Sequence, residues 1–471
     1  MAHCNIRRRC PTWLCEYSRE KVNDDNDAAK DGSRDRRLRR LRCGDISPPC
    51  IFLSQLLPSL NRHKISKMPV PLIQKAILDG LDTVPNSAVL FKLLGVGLVL
   101  YLIRRWFQGA RNLSERTMHG KVVMITGGTS GIGAEVARDL ATRGAQLVLL
   151  TQHALDDYFL VEYIEELRDR SNNELITAAQ VDLTSLHSIR QFATKWVDNA
   201  SPRRLDMIIL CANTLTPKGG KIQKTGDDVE INWGLNYLAN FHLLSILSPA
   251  IRAQPPDRDV RIIMATCSAY IGGTLPVTGV KEAKIRQKER ADKFDPYSAY
   301  ASSKLALMAF AQSFQKHLSA YARPDKNPMN ARVILVDPGQ TRTPGMRRYL
   351  TWGSITGLVL YLLTYPIWYI ILKSPAQGAQ SILYAAMEAQ WGRGNGGWLI
   401  KECREIPPVR RDMLDEELQK QLWEYSENMI QEAEKRGAKK RAEAKAAEKV
   451  KPAELKKPDE KKPGSRRTKK A

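Results

Sequence analysis

Three features of the sequence predict an α/β fold built on a doubly wound parallel sheet. Between Lys121 and about Ile406, short β-rich runs alternate with longer helical stretches, the pattern of parallel strands joined by crossover helices. A glycine cluster, Thr126, Gly127, Gly128, Thr129, Ser130, Gly131, Ile132 and Gly133, directly follows the first of those runs and opens a helix-forming segment at Ala134. The length of 471 residues fits one large domain with tails, since parallel α/β domains often run to about 250 residues as a single unit.

Taken in order, residues 1–67 are rich in Arg and Cys and lack apolar periodicity. Their acidic residues argue against a mitochondrial transit peptide, and no secretory apolar core is visible. Because Met68 is followed at once by an amphipathic stretch, Pro69 to Leu81, the first 67 residues are expected to be disordered or not normally translated. From Ala88 to Ile103 runs an apolar segment of sixteen residues broken only by Lys92 and followed by Arg104, Arg105 and Trp106. As a helix it would be about 24 Å long against a bilayer core of about 30 Å, so a thin span and a shallow anchor both fit. Residues 88–106 are thus the expected N-terminal membrane anchor, with Arg104, Arg105 and Arg111 keeping its C-terminal side cytosolic.

Strands are expected at Lys121 to Ile125, Gln146 to Thr151, Asp206 to Cys211, Val260 to Ala265 and Arg332 to Val336, with a third strand ending before Val181. The domain is bounded at residues 119–408, and 409–471 are expected to be helical and then a disordered basic tail.

The net charge of +23 would suit a nucleic-acid binder until it is mapped. Residues 1–67 carry 15 Lys/Arg against 8 Asp/Glu, and residues 435–471 carry 16 against 5, so little excess remains for the folding part. The tail has no aromatic platform for bases, and no specific nucleic-acid partner is expected. Five of the eight cysteines fall in the first fifty residues at spacings that match neither a zinc site nor a CxxC pair. No metal site is expected, and the default address is a reducing, cytosol-facing one.

The glycine cluster carries the first chemistry. Placed on a strand, turn and helix, it lets the chain turn tightly and lets a pyrophosphate approach the backbone amides and the positive end of the helix. This is a Rossmann-type cofactor loop. Tyr300 and Lys304 stand 174 and 178 residues after Thr126, one turn apart on a predicted helix. Together, in this order and at this distance, the two motifs resemble the short-chain dehydrogenase/reductase family, closely over residues 119 to about 345 and more loosely to about 406.

That resemblance implies further positions. The family's catalytic Ser at the end of the fifth strand is matched by Ser268, with Cys267 where a second Ser is frequent. The 32 residues from Ser268 to Tyr300 exceed the family's usual interval, implying an insertion around Lys281 to Phe294, as in retinol-dehydrogenase-like members. The family's Asn in the helix after the fourth strand is matched by Asn236, with Asn232 and Asn240 as competitors. Tyrosine has an unperturbed pKa near 10 and needs the Lys304 ammonium and the oxidised nicotinamide to exchange a proton near neutrality. Lys304 would also hold the cofactor ribose, Ser268 would bond the reacting oxygen, and Asn236 would position a water linking Lys304 to solvent.

The implied cofactor contacts are Thr126, Gly127, Ser130, Gly131, Ile132 and Gly133 in the loop, Asp182 at the adenine amine, and Pro338, Gly339 and Thr343 at the nicotinamide carboxamide, besides Tyr300 and Lys304. The family's Asn-Asn-Ala-Gly after the fourth strand is replaced by Cys211, Ala212, Asn213 and Thr214, where Asn213 partly substitutes. After the second strand come Gln152 and His153 in place of the carboxylate that selects NAD. NADP is therefore the expected cofactor, and NAD also fits.

Gly353 to Leu372 is a second apolar segment, twenty residues without a charge. A full crossing would split one domain across a bilayer, so Pro366 and the aromatic residues Trp352, Trp368 and Tyr369 suit a kinked interfacial or re-entrant element. The alternative is an apolar lobe buried within the protein or in a homodimer. The resemblance, nearest to retinol-dehydrogenase-like members and fungal lipid-droplet relatives, implies an oxidoreductase for a small lipophilic alcohol or carbonyl. The implied address is the endoplasmic reticulum membrane or a lipid-droplet surface, with the catalytic domain facing the cytosol. A catalytically silent lipid-surface scaffold that binds a dinucleotide is the rival reading.

Overall fold

The computed structural model describes residues 87–199, 203–277 and 294–454. The expectations for residues 1–67, for the Pro69 to Leu81 stretch, for nearly all of the insertion and for residues 455–471 lie outside them.

Eight strands form one sheet: β1 (Val122–Thr126), β2 (Gln146–Thr151), β3 (Ile176–Gln180), β4 (Met207–Leu210), β5 (Val260–Ala265), β6 (Ala331–Asp337), β7 (Trp398–Lys401) and β8 (Arg404–Glu405). Their order is β3-β2-β1-β4-β5-β6-β7-β8. Every neighbouring pair is parallel except β7 and β8. The strands β1 and β4 are buried throughout, as continuous apolar runs covered on both faces must be.

The helices divide between the two faces. On one lie α2 (Gly131–Thr142), α3 (Tyr158–Ser171) and α10 (Pro375–Met387); on the other α4 (Leu186–Val197), α5 (Ala239–Arg252) and α6 (Pro296–Ser319). The chain runs out from β1 to one side of the sheet and from β4 to the other. Their carboxyl ends therefore border the crevice where such folds bind ligands.

The first half of α11 (Glu416–Glu454) is packed rather than solvated. Trp423 meets Phe241 of α5 and Phe310 of α6 at ring-centre distances of 5.0 and 5.7 Å. Ser426 shares a 2.6 Å hydrogen bond with the buried hydroxyl of Tyr237.

α1 (Ser87–Gln108) carries Lys92, Arg104 and Arg105 along an otherwise apolar helix. Among the described residues no helix is long and apolar enough to cross a membrane. The second apolar segment breaks into two short helices, α8 (Ile355–Leu363) and α9 (Tyr365–Ile371), after α7 (Pro344–Leu350). Pro366 opens α9. At the corner Thr364 donates its hydroxyl to Leu360 O and accepts from the Trp368 indole at 2.8 Å. Burial within the chain is not what covers this lobe, since Ile355 is 83% and Leu363 76% exposed.

Candidate active site

The glycine loop is built by close approaches that only glycine tolerates. Gly127 has φ +67, and a Cβ on it would lie 2.9 Å from the backbone of Ala212; one on Gly133 would lie 2.2 Å from the Gly127 carbonyl oxygen. Thr126 ties this turn to the end of β4, its hydroxyl accepting from Ala212 N at 3.2 Å. Ser130 is the N-cap of α2 but does not spend its side chain on the cap. Tyr163, which sequence reasoning missed, donates its hydroxyl to Gly128 O at 2.8 Å and so holds the loop from α3. Burial raises that phenol to about 12. A loop at a helix N-terminus whose backbone must stay bare at Gly127 and Gly133 fits a pyrophosphate.

Gly131 approaches Thr343, whose Cγ2 would lie 3.2 Å from an added Cβ, so the loop meets the Pro338 to Thr343 turn. Gly339 has φ +75 and donates its N–H to Asp337 Oδ1 at 2.9 Å, and Thr343 caps α7. Ile132 packs on α10 near Gly378. Asp182 Oδ1 accepts from both the N–H and the hydroxyl of Thr184.

At the end of β2 Gln152 is exposed. Next to it His153 Nδ1 lies 3.1 Å from Asp157, five residues beyond Gln152.

Of the residues expected to be catalytic, Tyr300 and Lys304 lie on α6. Asp295 caps that helix through Tyr297 N and Ser298 N, and Pro296 starts it, which sets the rotation of Tyr300 and Lys304. Tyr300 is 8% and Lys304 2% exposed. The Lys304 ammonium lies 5.7 Å from the Tyr300 ring centre and donates to Ala265 O at 3.1 Å, at the end of β5. The Tyr300 hydroxyl accepts from Asn213 Nδ2 and from Cys267 Sγ, each at 3.3 Å.

Ser268 is not in this group. Its hydroxyl donates to Asp337 Oδ2 at 2.5 Å and accepts from Lys401 Nζ at 2.9 Å. Asn213, which partly substitutes for the family's motif after the fourth strand, reaches Tyr300.

Asn236 lies fully buried in a π-helical turn, Gly234–Leu238, between Ile231–Trp233 and α5. Its amide accepts from Thr214 N at 2.8 Å and donates to Thr214 O at 2.9 Å and Ser303 Oγ at 3.2 Å. It therefore holds the loop that carries Asn213, and Ser303 links it to Tyr300 O at 2.7 Å. Its competitors are engaged elsewhere: Asn232 bonds Thr216 and Glu230, and Asn240 bonds Asn236 O.

Burial pushes the Tyr300 phenol well above its ordinary value, with the neighbouring Cys267 adding to the rise. Burial pulls Lys304 down, opposed by Cys267, Cys211 and Asp337. Burial likewise raises the Cys267 thiol, and that of Cys211 to about 12. The Asn213 N–H and the Cys267 S–H thus converge on the one Tyr300 hydroxyl.

A glycine-loop crevice at the sheet's switch point, with a buried Tyr and Lys one helical turn apart beside it, defines a dinucleotide-dependent oxidoreductase. A family model described as short chain dehydrogenase matches residues 121–270. An uncharacterized oxidoreductase of Schizosaccharomyces pombe is 41% identical over 335 residues, 71% of this chain and 88% of that protein. A polyprenol dehydrogenase of Mus musculus is 30% identical, over 64% of this chain and 82% of that protein. Retinol dehydrogenase 13 of Homo sapiens is 26% identical, over 75% and 94%. The chain belongs to the short-chain dehydrogenase/reductase family.

Proposed function

We propose that this protein is a lipid-surface oxidoreductase that exchanges hydride between NADP(H), with NAD(H) also accommodated, and a lipophilic alcohol or carbonyl. The substrate class is a retinoid, sterol, polyprenoid, lipid ketone or long-chain aldehyde. A bound nicotinamide supplies or accepts the hydride. Tyr300 gives the proton to the substrate oxygen in reduction and takes it in oxidation, Lys304 supports that transfer electrostatically, and Asn236 positions the loop beside it.

The carrying observation is the connection between the exposed apolar lobe and the cofactor turn. At the end of α9, Lys373 pairs with Thr341, its carbonyl accepts from Arg342 N at 2.9 Å and its N–H donates to Gln340 O at 3.0 Å. Arg104 of α1 caps the same end, donating to Tyr369 O at 2.6 Å and Leu372 O at 3.0 Å. Two exposed apolar elements thus meet at one point beside the turn, and exposed apolar area of this kind marks an interaction surface. Arg105 on α1, and Arg347 and Arg348 on α7 just before the lobe, suit anionic headgroups. The names of the polyprenol and retinol relatives support a long apolar alcohol as substrate. The address that follows is the endoplasmic reticulum membrane or a lipid droplet, with the domain in the cytosol.

The test is flotation with phosphatidylcholine/phosphatidylserine vesicles, alongside turnover of retinoid and polyprenoid alcohols and aldehydes. The protein should float and turn over at least one of them. Replacing Leu358, Leu362 and Leu363 with Ser should weaken vesicle binding at least tenfold and leave turnover of a short soluble carbonyl intact. A protein that stays with the soluble fraction would refute the surface reading.

Cofactor preference rests on the missing carboxylate at Gln152. Gln152→Asp places a negative charge where the 2′-phosphate would lie and should lower kcat/KM for NADPH relative to NADH at least tenfold. An unchanged ratio would show that this corner does not select the cofactor.

A further inference from the structure

We infer that Cys267, and not Ser268, is the side chain that meets the reacting oxygen beside Tyr300, so that a thiol serves here where the family resemblance calls for a hydroxyl. The inference rests on the oxidoreductase reading above and names a further residue of that same site.

Beyond β5 the chain continues extended through Cys267, with φ −159 and ψ 160, before the 3₁₀ turn Ser268–Gly272. Successive side chains of extended backbone point to opposite sides. Cys267 therefore faces the Lys304 side, where Ala265 O already accepts from the ammonium, and its sulfur stands 3.3 Å from the Tyr300 hydroxyl. Ser268 begins the turn and is exposed, its hydroxyl held between Asp337 Oδ2 and Lys401 Nζ.

The turn is held in place from two sides. A Cβ on Gly273 would lie 2.5 Å from Ala301 O, so the end of the turn lies directly on α6 next to Tyr300. Tyr270 is buried and its hydroxyl accepts from the Val409 N–H at 2.9 Å. Turning Ser268 toward Tyr300 would require breaking its pair of bonds and rotating a turn fixed at both ends.

The chemistry of a thiol at this point is specific. It is a weaker donor than a hydroxyl and works at longer range, 3.3 Å here against about 2.7–2.8 Å for O–H···O. Burial keeps it protonated, as a donor to an oxygen that gains negative charge and not as a nucleophile. Asn213 Nδ2, at the same 3.3 Å from the Tyr300 hydroxyl, flanks it from the β4 side. In reduction the carbonyl π pair moves to oxygen as hydride arrives at carbon, and the Tyr300 proton transfers to that oxygen. The Cys267 S–H stabilises the oxygen in transit and its own bond stays intact.

The experiment compares Cys267→Ala, Cys267→Ser and Ser268→Ala in the full chain, reading kcat, KM and dinucleotide Kd for each. Cys267→Ala should lower kcat at least tenfold, with KM and Kd within threefold of the parent. Cys267→Ser, which supplies a shorter and stronger donor, should restore kcat to at least the parental value. Ser268→Ala should lose less than Cys267→Ala by at least a factor of three. The inference is overturned if Ser268→Ala loses as much as Cys267→Ala, or if Cys267→Ala keeps more than half the parental kcat. It is also overturned if Cys267→Ser binds dinucleotide normally yet is as slow as the alanine variant. Should Cys267→Ala fail to fold, the other two variants decide the matter: Cys267→Ser must match the parent and Ser268→Ala must keep at least a third of its kcat. Full activity of every variant, with Tyr300→Phe inactive, would sink this inference alone. Activity in Tyr300→Phe would sink the underlying reading as well.

Discussion

Tyr300→Phe is expected to lower turnover by about 10³-fold, within the range that positioned proton transfer supplies, while dinucleotide binding changes by no more than about twofold to threefold. The ring stays in its slot on α6, at the side of Lys304, and only the hydroxyl is lost. That hydroxyl is where the Asn213 N–H and the Cys267 S–H converge. Steady-state kinetics with a fluorescence titration of reduced cofactor separates the two effects, and undiminished turnover would refute the assignment.

The sign of the pH dependence follows from the shift. Because burial raises the phenol, its protonated form fills the neutral range. Reduction, which needs the proton, should stay flat through neutrality and fall at alkaline pH. Oxidation, which needs the phenolate, should rise with pH.

Arg261→Met is expected to destabilise the fold by about 3–5 kcal/mol, the usual loss when one member of a buried ion pair is removed, and to lower Tm on the order of 10 °C. Arg261 is a fully buried side chain on β5. It donates to Asp259 at 2.6 Å and to Ala385 O and Glu388 O at 2.8 Å each, pinning the end of α10 to the sheet. Methionine fills similar space but leaves two carbonyls without donors and Asp259 with only Arg116, 3.1 Å away.

Burial works to raise the Asp259 carboxyl, yet Arg261 and Arg116 hold it below its ordinary value. Its folded pKa thus lies under the unfolded one of about 3.9. The stabilisation is present above that value and is lost as pH falls through the folded pKa. Thermal melts should therefore show a gap between parent and variant that is full at pH 7 and narrows in acid. A gap that is small at pH 7 would mean that α10 is held by its apolar contacts instead.

Much of the site could be read from the chain because its chemistry is local. The glycine loop needs bare backbone at consecutive positions, and Tyr300 and Lys304 need only one helical turn between them, so both appear as short motifs. Strands β2 and β5 match the expected bounds residue for residue, and β1, β4 and β6 differ by one residue at each end. The choice between Asn232, Asn236 and Asn240 was not local. All three lie on one helical run, and only the position of the Thr214 loop and of Ser303 on α6 separates them.

Tyr163, Asp337 and Lys401 escaped for the same reason. Each comes from a different element and acquires a partner only when the sheet closes. No spacing in the sequence joins Lys401 to Ser268, 133 positions apart.

Cys267 and Ser268 mark the boundary most clearly. Composition, strand period and motif order determined the α/β class, the cofactor loop and the tyrosine and lysine beside it, because each depends on repeats of two, three or four residues along one element. Which of two adjacent side chains turns inward depended on where the strand's extended backbone gives way to the 3₁₀ turn, and on Asp337 and Lys401 waiting on β6 and β7 to take the other. The two apolar segments divide in the same way: hydropathy marked both, but the break at Thr364 and the Arg104 cap that brings them together come from contacts made in three dimensions.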